Sequence, residues 1–439
     1  MSFEPDTATH PDQERSGLPA LALMSLLVGA AAGSIASGFR LTLRQADHLR
    51  DAFVAWAHDE KGLGFLLLLL VLAAGTTAAA WLVRRFSPQA TGSGIPHVEA
   101  VLRGELPQAP FRLIAVKYVG GILAIGSGLA LGREGPTVQM GASIAHLLGK
   151  LFRRNREDCM ALLAAGAGAG LATAFNAPIA GVAFVLEELV RRFDTRIAIA
   201  TLGASVSAIG VARLILGHDP DFSVDPLPYA GLATVYLHLA LGIAAGFMGV
   251  AYNRAILGAL AVTDRLRRWP VESRAAMIGV SVGVLAWWVP DLVGGGDLIT
   301  QNALSGTEVF ALLPFVFALR FGFGAVSYAA GTPGGLFAPM LVLGAQLGLL
   351  FGTFGNHWFP GLVPHPAAFA VVGMAAFFTA VVRAPLTGII LVTEMTASFT
   401  LLLPMLAACF AAMAVPILLG NAPIYDSLRD RMLQGSFQR

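Results

Sequence analysis

Two glutamates stand out in or beside the long apolar stretches of the chain: Glu134, and Glu188 near the end of the run Met160 to Val190. An acidic side chain at mid-membrane costs about 3 kcal/mol on insertion scales, so one kept there points to ion or proton movement. Glu134 lies in one of three segments of shared design. The first holds Gly92, Gly94, Ile95 and Pro96, the second Gly132, Arg133, Gly135 and Pro136, and the third Gly335 and Pro339. Each reads G-x-x-x-P. Glycine permits a sharp turn, proline suits the first turn of a new helix, and the amides between them are left without helical partners. Such amides carry partial positive charge, and several helix N-termini converging at mid-membrane form an anion site without a full countercharge. The chemistry expected is the binding and passage of a small anion.

The elements that must position these residues are membrane helices. AVILMFWYC residues make up 56% of the 439, another 50 are glycine, and charged residues are 13%, about half the share usual in soluble domains. Apolar runs of about spanning length occur at Leu18 to Phe39, Leu63 to Val83, Phe111 to Leu131, Met160 to Val190, Ile197 to Leu216, Leu237 to Leu257, Ala275 to Val289, Val309 to Ala330, Gly335 to Phe354, Ala368 to Val382 and Pro385 to Leu419. Ten or more helical passes are expected. Several runs hold too much Gly and Pro for plain helices, and irregular backbone is tolerated at membrane depth only where it is buried or lines a cavity. The first 17 residues are polar and acidic with no basic n-region, so the chain is expected to start in the cytoplasm rather than with a cleaved signal.

The chain also repeats itself. Gly132, Pro136, Gly141 and Ala142 match Gly335, Pro339, Gly344 and Ala345 at an offset of 203, and Ala177-Pro178, Gly181, Val185 and Glu187 match Ala384-Pro385, Gly388, Val392 and Glu394 at 207. Two halves of one domain are expected, about 18–260 and 275–425, dividing near the polar stretch Asp264 to Arg274 or slightly earlier. Structural duties should recur in both halves, whereas a chemical duty need occur once. Glu134 stands where the other half has Phe337, and Glu188 where it has Met395. Glu187 has an acidic twin in Glu394, which favours a structural role for that pair. Adjacent helical residues point about 100° apart, so Glu187 and Glu188 do not share a face.

Gly-Ser-Gly-Ile-Pro, Gly-Arg-Glu-Gly-Pro and Gly-Leu-Phe-Ala-Pro, in that order, with Ala174-Phe-Asn-Ala-Pro178, Ala384-Pro-Leu-Thr-Gly388 and Pro423-Ile-Tyr425, closely resemble the CLC chloride channel and transporter family over nearly the whole chain. The resemblance implies an all-α polytopic membrane protein of two inverted-topology repeats of tilted, partly discontinuous helices. It implies a homodimer in the lipid bilayer, each subunit with its own chloride pathway. By that resemblance the hydroxyls of Ser93 and Tyr425 and the backbone N–H groups of Leu336 and Phe337 hold chloride, and Glu134 is the gate. Chemistry agrees: ionised Glu134 can fill an anion's place and protonated Glu134 can leave it, so gate and proton carrier become one residue.

Glu188 matches the inner proton-transfer glutamate of the exchangers, which channel members typically lack, and Glu187 matches the position beside it that shapes water access. Serine at 93 is the chloride form. Chloride/proton antiport is therefore expected, with a passive anion channel or an exporter of another small anion as alternatives. With 14 residues after Tyr425, the stretch 426–439 is expected to be a short cytoplasmic tail without regulatory domains. A prokaryotic origin, the cell (inner) membrane and both termini cytoplasmic follow as expectations. No cofactor is implied. The net charge of +2, from 29 basic and 27 acidic residues, leaves no polybasic face for nucleic acid. Cys159 and Cys409 read as packing, without metal spacing. An intramembrane hydrolase would need a nucleophile and base in reach, and His97, His146 and His238 assemble no such pattern.

Overall fold

The computed structural model describes residues 11–225, 231–266, 268–308 and 310–437, and among them it is helical apart from two isolated β-bridges. Residues 1–10 of the expected N-terminal segment and 438–439 of the expected tail lie outside the described residues. In chain order the helices are α1 (Pro11–Asp59), α2 (Lys61–Phe86), α3 (Ile95–Leu102), α4 (Arg112–Gly126), α5 (Glu134–Leu151), α6 (Arg156–Phe175), α7 (Pro178–Phe184) and α8 (Thr195–Leu216). There follow α9 (Val235–Arg265), α10 (Val271–Trp288), α11 (Asp297–Ser305), α12 (Leu313–Tyr328), α13 (Phe337–Trp358), α14 (Pro366–Val382), α15 (Pro385–Thr396), α16 (Leu402–Leu418) and α17 (Ile424–Phe437). By length and composition, α1 from Gly17, α2, α6, α8, α9, α13 and the stretch Phe399–Leu418 can each cross a membrane, and α12, α14 and α15 are shorter apolar helices.

Two runs that read as continuous in sequence are broken. Met160 to Val190 divides at Asn176, where the backbone turns left-handed (φ 50°), and Pro178 opens α7; its last residues, Val185–Leu189, wind as a π-helix. Pro385 to Leu419 divides at Ala397 (φ 51°). Asn176 ends α6 as Arg383 (φ 68°) ends α14, each two residues before the proline that opens the next helix. Proline disfavours helical backbone in the residue before it and fits the first turn after it, so sharp corners form at matching places.

Packing repeats with the same logic. α1 packs on α4, α6 and α8, while α9 packs on α12, α14 and α16; α5 packs on α6 and α13 on α14. Both helix pairs use glycine: a Cβ on Gly141 would lie 2.2 Å from the Gly166 carbonyl oxygen, and one on Gly344 would lie 2.5 Å from that of Gly373. Such backbone approach is how membrane helices gain contact without a hydrophobic driving force. The halves form two inverted-topology repeats. In this packing α9 stands to its half as α1 does to the other.

Candidate functional site

All three G-x-x-x-P segments open helices: α3 begins at Ile95 with Pro96 second, α5 at Glu134 with Pro136 third, and α13 at Phe337 with Pro339 third. Backbone hydrogen bonds draw their loops together. Gly132 and Gly335 exchange bonds, Gly132 N–H to Gly335 O at 2.9 Å and Gly335 N–H to Gly132 O at 2.7 Å. Gly92 N–H donates to Thr332 O at 3.0 Å and Gly334 N–H to Gly92 O at 3.1 Å. Gly94, left-handed at φ 84°, turns the chain into α3. A Cβ on Gly135 would meet Ser93 O at 2.5 Å and Ser93 Oγ at 2.6 Å, so the start of α5 lies directly on Ser93.

Glu134 is fully buried at this junction. The N–H of Phe337 donates to its Oε1 at 2.7 Å, while Oε2 has no partner among the described residues. The two residues at equivalent first positions of α5 and α13 thus touch, and the carboxylate occupies the N-terminus of α13. Ser93 Oγ and Tyr425 Oη are buried and also lack hydrogen-bond partners among the described residues. Unpartnered hydroxyls are costly in a dry interior, so they suit an anion acceptor. Leu336 is buried at the cap of α13. The Phe337 ring lies 6.1 Å from that of Tyr425, 4.7 Å from Phe378, 5.7 Å from Phe184 and 6.0 Å from Phe175, an apolar wall that keeps water from the amides.

The other acidic candidates lie elsewhere. Both oxygens of Glu187 are engaged, Oε1 with Leu386 N–H at 3.0 Å and Oε2 with Thr387 N–H and Oγ1 at 2.7 Å each. Glu394 does the same for Ile179 N–H at 3.1 Å and Ala180 N–H at 2.8 Å. Each carboxylate caps the other repeat's short helix, satisfying first-turn amides that otherwise have no helical acceptor. Glu188 turns the other way, into a cluster with Arg191, and does not join Ser93, Phe337 and Tyr425. Arg133 also points away, with Nη1 on Asp297 at 3.0 Å and Nη2 on Asp221 at 2.9 Å. Two cavities reach the loops, about 230 Å³ at Gly132 and Arg133 and about 670 Å³ at Gly92, Gly94 and Tyr328.

Sequence reasoning missed Lys117, fully buried on α4, whose ammonium donates to Ala90 O at 3.0 Å and Gly92 O at 2.7 Å and so fixes the Ser93 loop. Its signal was present, since a charge inside the run Phe111 to Leu131, well past Arg112 at its start, calls for the reasoning applied to Glu134. Tyr328 was missed too; its hydroxyl accepts from Ser93 N–H at 3.4 Å. Of the histidines, His238 Nδ1 bonds Thr234 O at 2.8 Å and its ring stacks on Phe369, which is packing.

The family model described as Voltage gated chloride channel matches residues 74–416. An H(+)/Cl(-) exchange transporter ClcA of Vibrio cholerae serotype O1 (strain M66-2) is 40% identical over 422 residues, 94% of this chain and 89% of its own length. The ClcA of Vibrio parahaemolyticus serotype O3:K6 is 37% identical over 447 residues, 99% of this chain and 94% of its own. Among solved structures, a slow cyanobacterial Cl-/H+ antiporter superposes with a TM-score of 0.91 at 34% identity, covering 94% of this chain and 98% of that one. A CLC-type fluoride/proton antiporter shares the fold, with a TM-score of 0.77 at 22% identity over 90% of this chain and 95% of its own.

Proposed function

The chain belongs to the voltage gated chloride channel family, the CLC proteins, and on that premise we propose that it is a secondary active transporter exchanging chloride for protons across a membrane. One observation carries the reading: the Glu134 carboxylate, an anion, rests on the Phe337 amide at the start of α13, beside two buried hydroxyls that have no hydrogen-bond partner among the described residues. Chloride and this carboxylate compete for the same helix N-terminus. When Glu134 takes a proton it loses the charge that holds it there and swings away; chloride then sits against Ser93 Oγ, Tyr425 Oη and the amides of Leu336 and Phe337. Release of the proton returns the carboxylate and expels the anion. Glu188, nearly enclosed and flanked by Arg191, passes protons between water and the inner side of this site. Glu187 is assigned to capping α15, not to the relay.

Further support concerns assembly. The relatives named above are transporters, and the multi-pass architecture puts this chain in a membrane; we assign it to the cell (inner) membrane with both termini cytoplasmic. Leu202, Val206 and Leu214 on α8 and Leu406, Phe410 and Leu418 on α16 are exposed, an apolar surface suited to a second copy within lipid. The reading includes a homodimer with one pathway per subunit. The test is flux from proteoliposomes with chloride and proton movement recorded together. Exchange gives linked movement of both ions, whereas a passive channel gives chloride movement alone and refutes the proposal.

A further inference from the structure

Away from the anion site, Glu188 is bound into a compact ion cluster. Its Oε1 lies 3.3 Å from Arg191 Nη2. Arg191 Nη1 donates to Asp426 Oδ2 at 3.0 Å, and Nη2 lies 2.9 Å from Asp426 Oδ1, an ion pair with one hydrogen bond on the residue that follows Tyr425. The same Nη2 is 3.5 Å from Glu99 Oε1, an oxygen also held by Arg103 at 2.6 Å and Arg429 at 2.8 Å. The charged groups facing Glu188 are therefore Arg191, Glu99 on α3 and Asp426 on α17. Among the described residues, Arg191 is the guanidinium that touches all three of Glu99, Glu188 and Asp426.

The backbone of Arg191 adds a second observation. It follows the π-helical turn Val185–Leu189 and is left-handed, at φ 54°. A non-glycine residue held in that region is strained and persists where the surroundings over-determine it, often where function depends on the placement of its side chain. Here the strain aims a planar fork at two carboxylates on different helices, geometry that a lysine cannot reproduce.

We propose that Arg191 is a positioning residue for the proton step: it holds the Glu188 carboxylate beside Asp426 and so fastens the relay to α17, the helix that carries Tyr425. This rests on the reading of Glu188 as inner relay. A proton arriving from water binds a Glu188 carboxylate oxygen, while Arg191 stays charged throughout. The neutral carboxyl loses its ionic hold on Nη2, the Nη1 bond to Asp426 remains, and the loaded side chain is free to turn toward the anion site. Without Arg191, Glu188 is neither parked nor released in step with its proton.

The test uses the full chain in proteoliposomes, with chloride efflux and proton uptake measured together. Arg191→Asn suits the left-handed backbone but removes the guanidinium, and Arg191→Lys restores charge without the fork. In Arg191→Asn the protons moved per chloride should fall about tenfold, the scale of one lost charge-assisted hydrogen bond, while chloride efflux stays within about twofold. Arg191→Lys should recover part of the ratio. On a Glu188→Gln background, Arg191→Asn should change the residual fluxes by less than about twofold, because the group it acts through is gone. An unchanged ratio in Arg191→Asn, with Glu188→Gln uncoupled, overturns this inference alone; a coupled Glu188→Gln overturns the reading beneath it. Equal loss of both fluxes makes Arg191 structural and also overturns the inference. If Arg191→Asn does not fold, Asp426→Asn interrogates the same bridge from its other end, and an unchanged ratio there is equally fatal.

Discussion

Alanine at position 132 evicts the Glu134 carboxylate without altering its charge. A Cβ on Gly132 would lie 2.1 Å from Glu134 Oε2, 2.4 Å from Oε1 and 2.5 Å from Cδ, and these are its nearest neighbours. Gly132 is not among the positive-φ glycines, so alanine adds no backbone strain. What must move is the free end of one side chain, and the fold should survive. On leaving, the carboxylate gives up the Phe337 N–H bond at 2.7 Å. A charge-assisted bond of that kind is worth about 1.5–3 kcal/mol, or roughly 10–150-fold in the population of the closed gate. Chloride competes for the same amide, so its affinity in Gly132→Ala should rise about tenfold, towards the lower end of that range, as titration calorimetry in detergent would read. The protein would still move protons, at fewer per chloride. On a Glu134→Ala background there is no carboxylate to evict, and Gly132→Ala should change affinity by less than about twofold. Unchanged affinity in the single variant, or an equal rise on both backgrounds, would refute competition between gate and anion.

Three further outcomes are expected. Ser93→Pro removes one hydroxyl donor worth about 1.5–3 kcal/mol at most to a charged partner, and compact chloride should lose more than a polyatomic anion; liposome flux should shift toward nitrate, and unchanged selectivity would remove Ser93 from the site. Glu188→Gln should abolish proton uptake while chloride efflux persists, since an amide of the same shape offers no titrating group; loss of both fluxes in folded protein would make Glu188 structural. Glu187→Gln and Glu394→Gln should each cost about 0.5–2 kcal/mol through weakened capping; both should lower the thermal midpoint in detergent by similar amounts, and loss of coupling in Glu187→Gln would return that residue to the proton path.

The broken helices and the unmatched acids were legible because glycine, proline and carboxylates are conspicuous in apolar surroundings. Pairing of equivalent segments was not: nothing in the spacing says that the amide of Phe337 meets the carboxylate of Glu134, because an approximate two-fold relation, rather than sequence proximity, brings them together. The twin status of Glu187 and Glu394 signalled a shared structural duty, and their reciprocal caps give it a form. The roles of Arg191, Asp426 and Arg429 were not legible, because no spacing shows that the two arginines converge on one buried oxygen of Glu99, that Arg191 also reaches Glu188, and that Asp426 pairs with both. The correspondence of α9 with α1 was not legible either, because it lies in which helices each one packs on rather than in a shared motif.

The central claim is that one carboxylate, Glu134, is both the gate for chloride and a carrier of protons. The most direct measurement is uphill proton movement in chloride-loaded proteoliposomes diluted into chloride-poor medium, with the membrane potential clamped and an opposing pH gradient imposed. The native chain is expected to take up protons against that gradient as chloride leaves. Glu134→Gln is expected to release chloride at a rate independent of pH with no proton movement. Chloride efflux from the native chain without proton uptake, or uphill proton uptake by Glu134→Gln, would contradict it.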